Sequence, residues 1–249
     1  MVLAVLSSAC APELVVGTWT CPPPDTQADG SVTKRVDIPW TTGFEAGFCD
    51  YARAGGFCYA DPDASYRIVD APVHGGDHAA AFTVTSDPSK VGLQTRCFRE
   101  GALPPDATYG AWFYLASHAN NTGNWNLMHF QGGAVGALHG LWDVSLGSAA
   151  DGSLFLYVFG FLGAGVRVPD VPSQVPVDSW FHVEFRFRRA IDATGDVALY
   201  QDGALLMQLT GLSTDDTDFG QWYVGNYADA LTPPDSTIYV DDVTIRPAP

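Results

Sequence analysis

The chain reads as all-β, a jelly-roll sandwich of two antiparallel sheets, and three observations predict this. Phe181, Val183, Phe185 and Phe187 alternate with His182, Glu184, Arg186 and Arg188, a period of two that puts the apolar set on one face of a strand. About a dozen such runs recur with Gly, Pro, Asp or Asn between them, and none reads as a convincing amphipathic helix. Asp202-Gly203 separates Val197–Tyr200 from Leu205–Leu209, and Gly accepts the positive φ that a tight hairpin turn requires.

The elements follow in order. Residues 1–10 open with MVLAVL and continue Leu6-Ser7-Ser8-Ala9-Cys10, which resembles a truncated lipoprotein signal with Cys10 as the lipidated residue. No basic residue precedes Cys10, the first being Lys34. Residues 11–42, polar and carrying Cys21-Pro-Pro-Pro, read as a tether or N-terminal strap. Residues 43–249 form one sandwich domain, with strands expected at Tyr66–Val69, Ala79–Val84, Gly92–Phe98, Tyr109–Ala116, Trp125–Gln131 and Leu138–Leu146. Further strands are expected at Leu154–Phe159, Trp180–Phe187, Val197–Tyr200, Leu205–Leu209, Trp222–Val224 and Thr237–Ile245. At 249 residues and 47% hydrophobic, the chain can bury a single two-layer core.

Composition narrows the partners. The 28 acidic against 12 basic residues give a formal charge of −16, which repels nucleic acid and anionic lipid and disfavours long-range steering of polyanionic glycans. No run approaches the roughly 20 apolar residues of a membrane span. The nearest, Leu154–Val166, is too short and too rich in glycine, so membrane contact is expected only through the lipid anchor. The protein is expected to be exported and monomeric. Cys21, Cys49, Cys58 and Cys97 are an even set suited to two disulfides in an oxidising compartment. Cys49–Cys58 would close a short loop and leave Cys21–Cys97, one of three pairings the sequence allows.

Alternation also sorts the middle strands into faces. Met128 and Phe130, then Trp142, Val144 and Leu146, then Leu154, Leu156 and Val158 fit the core. Trp125, His129, Gln131, His139, Asp143, Tyr157, Phe155 and Phe159 fall on the other side. The expected hairpin register sets Gln131 opposite His139 and His129 opposite Leu141. Rings that cover apolar C–H patches, beside fixed groups that orient hydroxyls, suit a sugar ligand.

Gly43-Phe44-Glu45-Ala46-Gly47, the Trp180–Gly203 hairpin, Gly225-Asn226-Tyr227 and Tyr239-Val240-Asp241-Asp242-Val243 together resemble concanavalin A-like lectin/glucanase domains. Within that superfamily the chain is most similar, over about residues 43–246, to polysaccharide lyases of the heparin lyase I and alginate lyase type. The resemblance implies β-elimination, with Tyr227 or Tyr157 as base or acid, His129 as its partner, and Gln131 with Arg96 clamping the uronate carboxylate. Their arginine strand corresponds to Arg96-Cys97-Phe98-Arg99, whose two arginines point to opposite faces, so that one reaches the site. It also implies a structural Ca²⁺ between Glu45 and Asp241, away from the ligand. Retaining glucanase chemistry is excluded because no Glu-x-Asp-x-x-Glu string is present, and no Gly-x-Ser-x-Gly elbow supports a serine hydrolase.

The sequence therefore points to an exported domain that binds polysaccharide or a cell-surface glycan in a groove on its concave sheet. The alternative is a polysaccharide lyase acting on a uronic-acid polymer. A second alternative is a cell-surface adhesion or structural domain with a protein partner.

Overall fold

The computed structural model describes residues 21, 38–87, 89, 92–101, 103–132, 140–161, 164–215 and 220–248. Cys10 and His139 lie outside the described residues. Trp40–Thr42 (β1) precedes a five-residue helix, Cys49–Arg53 (α1), and the strands Phe57–Ala60 (β2) and Ala64–Val69 (β3). Ala79–Thr85 (β4), Leu93–Gly101 (β5), Asp106–Leu115 (β6) and Asn120–Asn121 (β7) follow. The middle of the chain gives Trp125–Gly132 (β8), Leu141–Ser148 (β9), Leu154–Gly160 (β10), Gly165–Arg167 (β11) and Gln174–Val175 (β12). The last third gives Trp180–Arg188 (β13), Gly195–Gln201 (β14), Ala204–Leu212 (β15), Gly220–Ala228 (β16), Leu231–Thr232 (β17) and Asp235–Pro247 (β18).

Every strand expected from alternation is present. The pieces the sequence did not signal are short or lie at sheet edges: β1, β2, β7, β11, β12, β17 and helix α1. They have too few residues for a period to register. The strands build two large antiparallel sheets. One runs β15-β14-β13-β6-β18-β4-β3, with β1 beside β18; the other runs β11-β10-β9-β8-β16-β5-β2, with β12 beside β10. Asp202 (φ 52°) and Gly203 (φ 79°) form the expected hairpin turn between β14 and β15.

The core fills the space between the sheets. Phe181, Val183, Phe185 and Phe187 of the first sheet are buried, and Phe130 of the second packs on Phe187 at 4.7 Å and on Phe185 at 5.3 Å between ring centroids. Burying each such ring contributes about 2–3 kcal/mol. Asn226, fully buried on the core side of β16, spans the two sheets. Its Nδ2 donates to the Phe82 and Ser236 carbonyls of the first sheet, and its Oδ1 accepts the Trp125 Nε1–H of the second.

Three expectations need correction. The β8–β9 register sets His129 opposite Asp143 and Gln131 opposite Leu141, two residues from the expected pairing. A slip of two keeps His129, Gln131 and Asp143 on the face expected of them. Trp125 is buried in the core rather than on the ligand face, because Leu127 is an extra, bulged residue of β8 that inverts the alternation before it. The disulfides are Cys21–Cys49 and Cys58–Cys97, not Cys49–Cys58 and Cys21–Cys97. Cys58 and Cys97 are opposed in the β2–β5 ladder, whereas α1 and the turn after it separate Cys49 from Cys58.

Candidate functional site

On the outward face of the second sheet, side chains form rows that cross the strands. One row runs Phe159, Asp143, His129, Tyr223, Phe98 and Phe57, each opposite the next. The next runs Tyr157, Ser145, Asn126, Tyr227 and Gln94. Between them, on the β5 side, Arg96 stands opposite Tyr59 on one flank and Gly225 on the other. A Cβ at Gly225 would lie 2.7 Å from Arg96 Cα and Cβ, so the bare glycine is what lets the strand carrying Arg96 come this close.

Hydrogen bonds tie these rows together. His129 Nδ1 and Asp143 Oδ1 are 2.5 Å apart and both residues are nearly buried, at 6% and 7% exposure. A carboxylate only accepts, so Nδ1 carries the proton of this bond, and in the neutral ring the lone pair is on Nε2. The His129 ring stacks on Tyr223 at 4.6 Å. On the far side of Tyr223, the Arg96 guanidinium lies 4.2 Å from its ring centroid, and Arg96 Nε donates to the Tyr59 hydroxyl at 2.8 Å. Asn126 and Arg96 flank the Tyr223 hydroxyl and oppose the rise in its pKa that burial causes. Asn126 Oδ1 accepts from Ser145 Oγ, and Tyr157 stands opposite Ser145 on β10. Tyr157, Ser145, Asn126, Tyr223, Arg96 and Tyr59 thus follow one another across six adjacent strands.

Electrostatics divide the roles available. Burial raises the pKa of Tyr227, and Asp229 and Asp143 add to the effect against the opposing charge of Arg96. Burial likewise raises Tyr157, with Ser145 opposing and Asp143 reinforcing. Burial drives Tyr223 well above the usual phenol range. These phenols keep their protons at neutral pH. Arg96 holds its charge despite burial, because Tyr223 and Tyr59 favour the cation.

Of the residues expected at the site, His129, Asp143, Arg96, Tyr157 and Tyr227 come together in these two rows. Gln131 shares their face one row further on, between Leu141 and Gln221. Phe155 covers Gly147 with the tip of its ring, and Phe159 stands opposite Asp143 on the β10 flank. Arg99 takes the opposite face, as its spacing implies, and lies over the Trp40 ring at 4.3 Å. Asn126, Tyr223 and Tyr59 were not among the residues expected at the site. The Leu127 bulge hides Asn126. The Cys58–Cys97 pairing would have revealed Tyr59, since opposed cysteines set their neighbours Tyr59 and Arg96 opposite each other.

Glu45 and Asp241 lie beside one loop, His74–His78. Asp77 and His78 donate their backbone N–H groups to Glu45 Oε1, while His74 and Gly75 donate theirs to Asp241 Oδ2. Calcium takes roughly six to eight oxygen ligands, and here amide hydrogens point at the oxygens it would need. Among the described residues no group of three or more His, Cys, Asp or Glu side chains is arranged to hold a metal.

No family model matches the chain, and no curated protein matches it. Solved structures do. An endo-β-1,4-glucuronan lyase from the fungus Trichoderma reesei superposes with a TM-score of 0.57 at 17% identity, over 77% of this chain and 90% of that one. The cellulose-induced protein Cip1 gives 0.57 at 14% identity, over 83% and 96%. A PL-14 alginate lyase from Aplysia kurodai gives 0.56 at 10% identity, over 84% and 98%. The chain shares the jelly-roll fold of these structures. Two disulfides match an oxidising compartment. Among the described residues no helix is long and apolar enough to cross a membrane.

Proposed function

We propose that this protein is a polysaccharide lyase that cleaves a uronic-acid-containing glycan by β-elimination. The observation that carries the reading is the gathering on one sheet face of a carboxylate-fixed imidazole (His129–Asp143), a tyrosine-bracketed guanidinium (Arg96) and half-buried neutral phenols. The fold shared with glucuronan and alginate lyases supports it. Arg96 and Asn126, on either side of Tyr223 in the sheet, bind the uronate carboxylate and stabilise the charge that develops on it. His129 Nε2 removes the proton from the carbon beside that carboxylate. The C–H electron pair forms the new C=C bond, the glycosidic C–O bond breaks, and Tyr227 gives its proton to the leaving oxygen. Gln131, one row away, contacts the neighbouring sugar rather than the clamped carboxylate.

Incubation with glucuronan, polymannuronate and mixed uronic-acid polymers tests this, by the ultraviolet absorbance of the unsaturated product. Activity is expected for wild type and is expected to vanish in His129→Ala. Binding without product would replace the lyase by a glycan-binding domain that uses the rings Phe57, Phe98, Phe155 and Phe159. Export and a lipid anchor at Cys10 belong to the same proposal, and palmitate labelling that survives Cys10→Ser would remove the anchor from it.

A further inference from the structure

Resting on the lyase reading, we infer that the substrate carries isolated uronates flanked by neutral sugars, rather than an unbroken run of uronic acids. Among the described residues, Arg96 is the one guanidinium whose side chain lies on the outward face of the second sheet. Arg99 projects to the other side of β5, Arg167 of β11 stands opposite the core residue Val158, Arg53 belongs to α1, Arg67, Arg186, Arg188 and Arg246 belong to the first sheet, and Arg189 follows β13. The acidic groups on or beside the same face outnumber it. Asp143 pairs with His129, Glu100 accepts from Gln221 Nε2 at 2.6 Å one row beyond, and Asp61 and Asp229 act on Tyr227 from the β5 end.

The flanks across the strands are rings. Towards β2, Phe57 and Tyr59 stack on Phe98 at 4.9 and 5.4 Å, and Phe57 is 42% exposed. Towards β10 stand Phe155, Tyr157 and Phe159. A ring face covers the C–H patch of a neutral pyranose but gives a second or third carboxylate no counter-charge. A homopolyuronate would bring such carboxylates to both flanks, towards a protein whose formal charge is −16. One clamp between aromatic flanks suits a polymer whose charge density is equally low.

The test compares glucuronan with deacylated gellan, in whose backbone neutral sugars separate successive glucuronates, by kcat/KM for unsaturated product across a salt series. Gellan is expected to be cleaved roughly tenfold more efficiently at low salt, and KM for glucuronan is expected to fall as salt screens its repulsion from the acidic protein. Gln94→Lys, which adds a cation beside Arg96 on the same face, is expected to narrow the gap. Lys90, outside the described residues, is changed in parallel (Lys90→Ala), and the preference is expected to persist. Equal or better cleavage of glucuronan, with a KM that rises with salt, overturns the inference and leaves the lyase intact. If neither polymer yields product the lyase reading fails, and calorimetric titration of both polymers then decides the ligand class. Tighter binding of gellan upholds the inference, whereas tighter binding of glucuronan, or of neither, overturns it.

Discussion

Tyr227 and Tyr157 face the same site from opposite flanks, yet their surroundings separate them. Tyr157 stands opposite Ser145, whose hydroxyl positions Asn126, whereas Tyr227 packs over Gly92, where a Cβ would lie 2.1 Å from the Tyr227 hydroxyl. Tyr227→Phe is therefore expected to lower kcat by about 100-fold or more, and Tyr157→Phe by much less, with the thermal midpoint of both within a degree or two of wild type. A kinetic comparison of the two variants checks the assignment. Because its surroundings raise the Tyr227 pKa, the acid stays protonated past the ordinary phenol value of 10.0, and the alkaline limb of the rate profile is expected above that point. An alkaline limb below it would mean that a different group donates the proton. Asp143→Asn tests the imidazole. An amide accepts one hydrogen bond but also presents N–H donors, so the tautomer is no longer fixed, and kcat is expected to drop while binding of the polymer persists.

At the level of the strand, β16 and its neighbour β5 decide whether the guanidinium is in place. Gly225 faces Arg96 across the ladder, and an added Cβ would come within 2.3 Å of the Thr95 carbonyl oxygen. Gly225→Ala is expected to cost about 1–3 kcal/mol in denaturant unfolding and to raise KM several-fold by displacing Arg96. Unchanged KM with lowered stability would show that Arg96 does not hold the substrate. The β8 bulge has the opposite character. It was invisible as a pattern, because Trp125, Leu127, Met128 and Phe130 are all apolar or aromatic and any register buries something. Only the pairing of Asn126 with Ser145 and of Met128 with Val144 reveals the extra residue between them. The His129–Asp143 pair, by contrast, was legible as two residues on one face, since a slip of two leaves the face unchanged.

Across the whole molecule, the sheets are joined by apolar packing and by polar bridges, among them Gln201 Nε2 to the Gln174 carbonyl and the fully buried Asn226. Asn226→Ala would leave the Trp125 Nε1–H without its partner and remove the hydrogen bonds to the Phe82 and Ser236 carbonyls of the first sheet. Loss of about 3 kcal/mol in a urea titration is expected, with the secondary structure retained. Three fully buried phenols, Tyr51, Tyr109 and Tyr223, all have pKa values raised by burial. Their folded values lie above the unfolded value of 10.0, so their contribution is complete below that pH and is lost as pH rises towards the folded values. The urea midpoint is expected to fall steeply above pH 10 and not before, and a midpoint that falls from neutrality upward would place the weakness elsewhere.

The sequence by itself determined the architecture and the face. Side-chain alternation has a period of two whatever the neighbouring strand is, so Phe181–Phe187 and Leu154–Val158 declared their buried sides without knowledge of their partners. That same locality explains why His129, Asp143, Tyr157 and Phe159 could be assigned to one surface. What only the tertiary structure decided is which residues meet across strands: Asn126 beside Tyr227, Tyr223 between His129 and Arg96, Cys58 against Cys97. Those meetings depend on register and on a single bulged residue, and both are set by the summed packing and hydrogen bonding of two strands distant in sequence. No short stretch of either strand carries that information, so the site had to be read from the sheet.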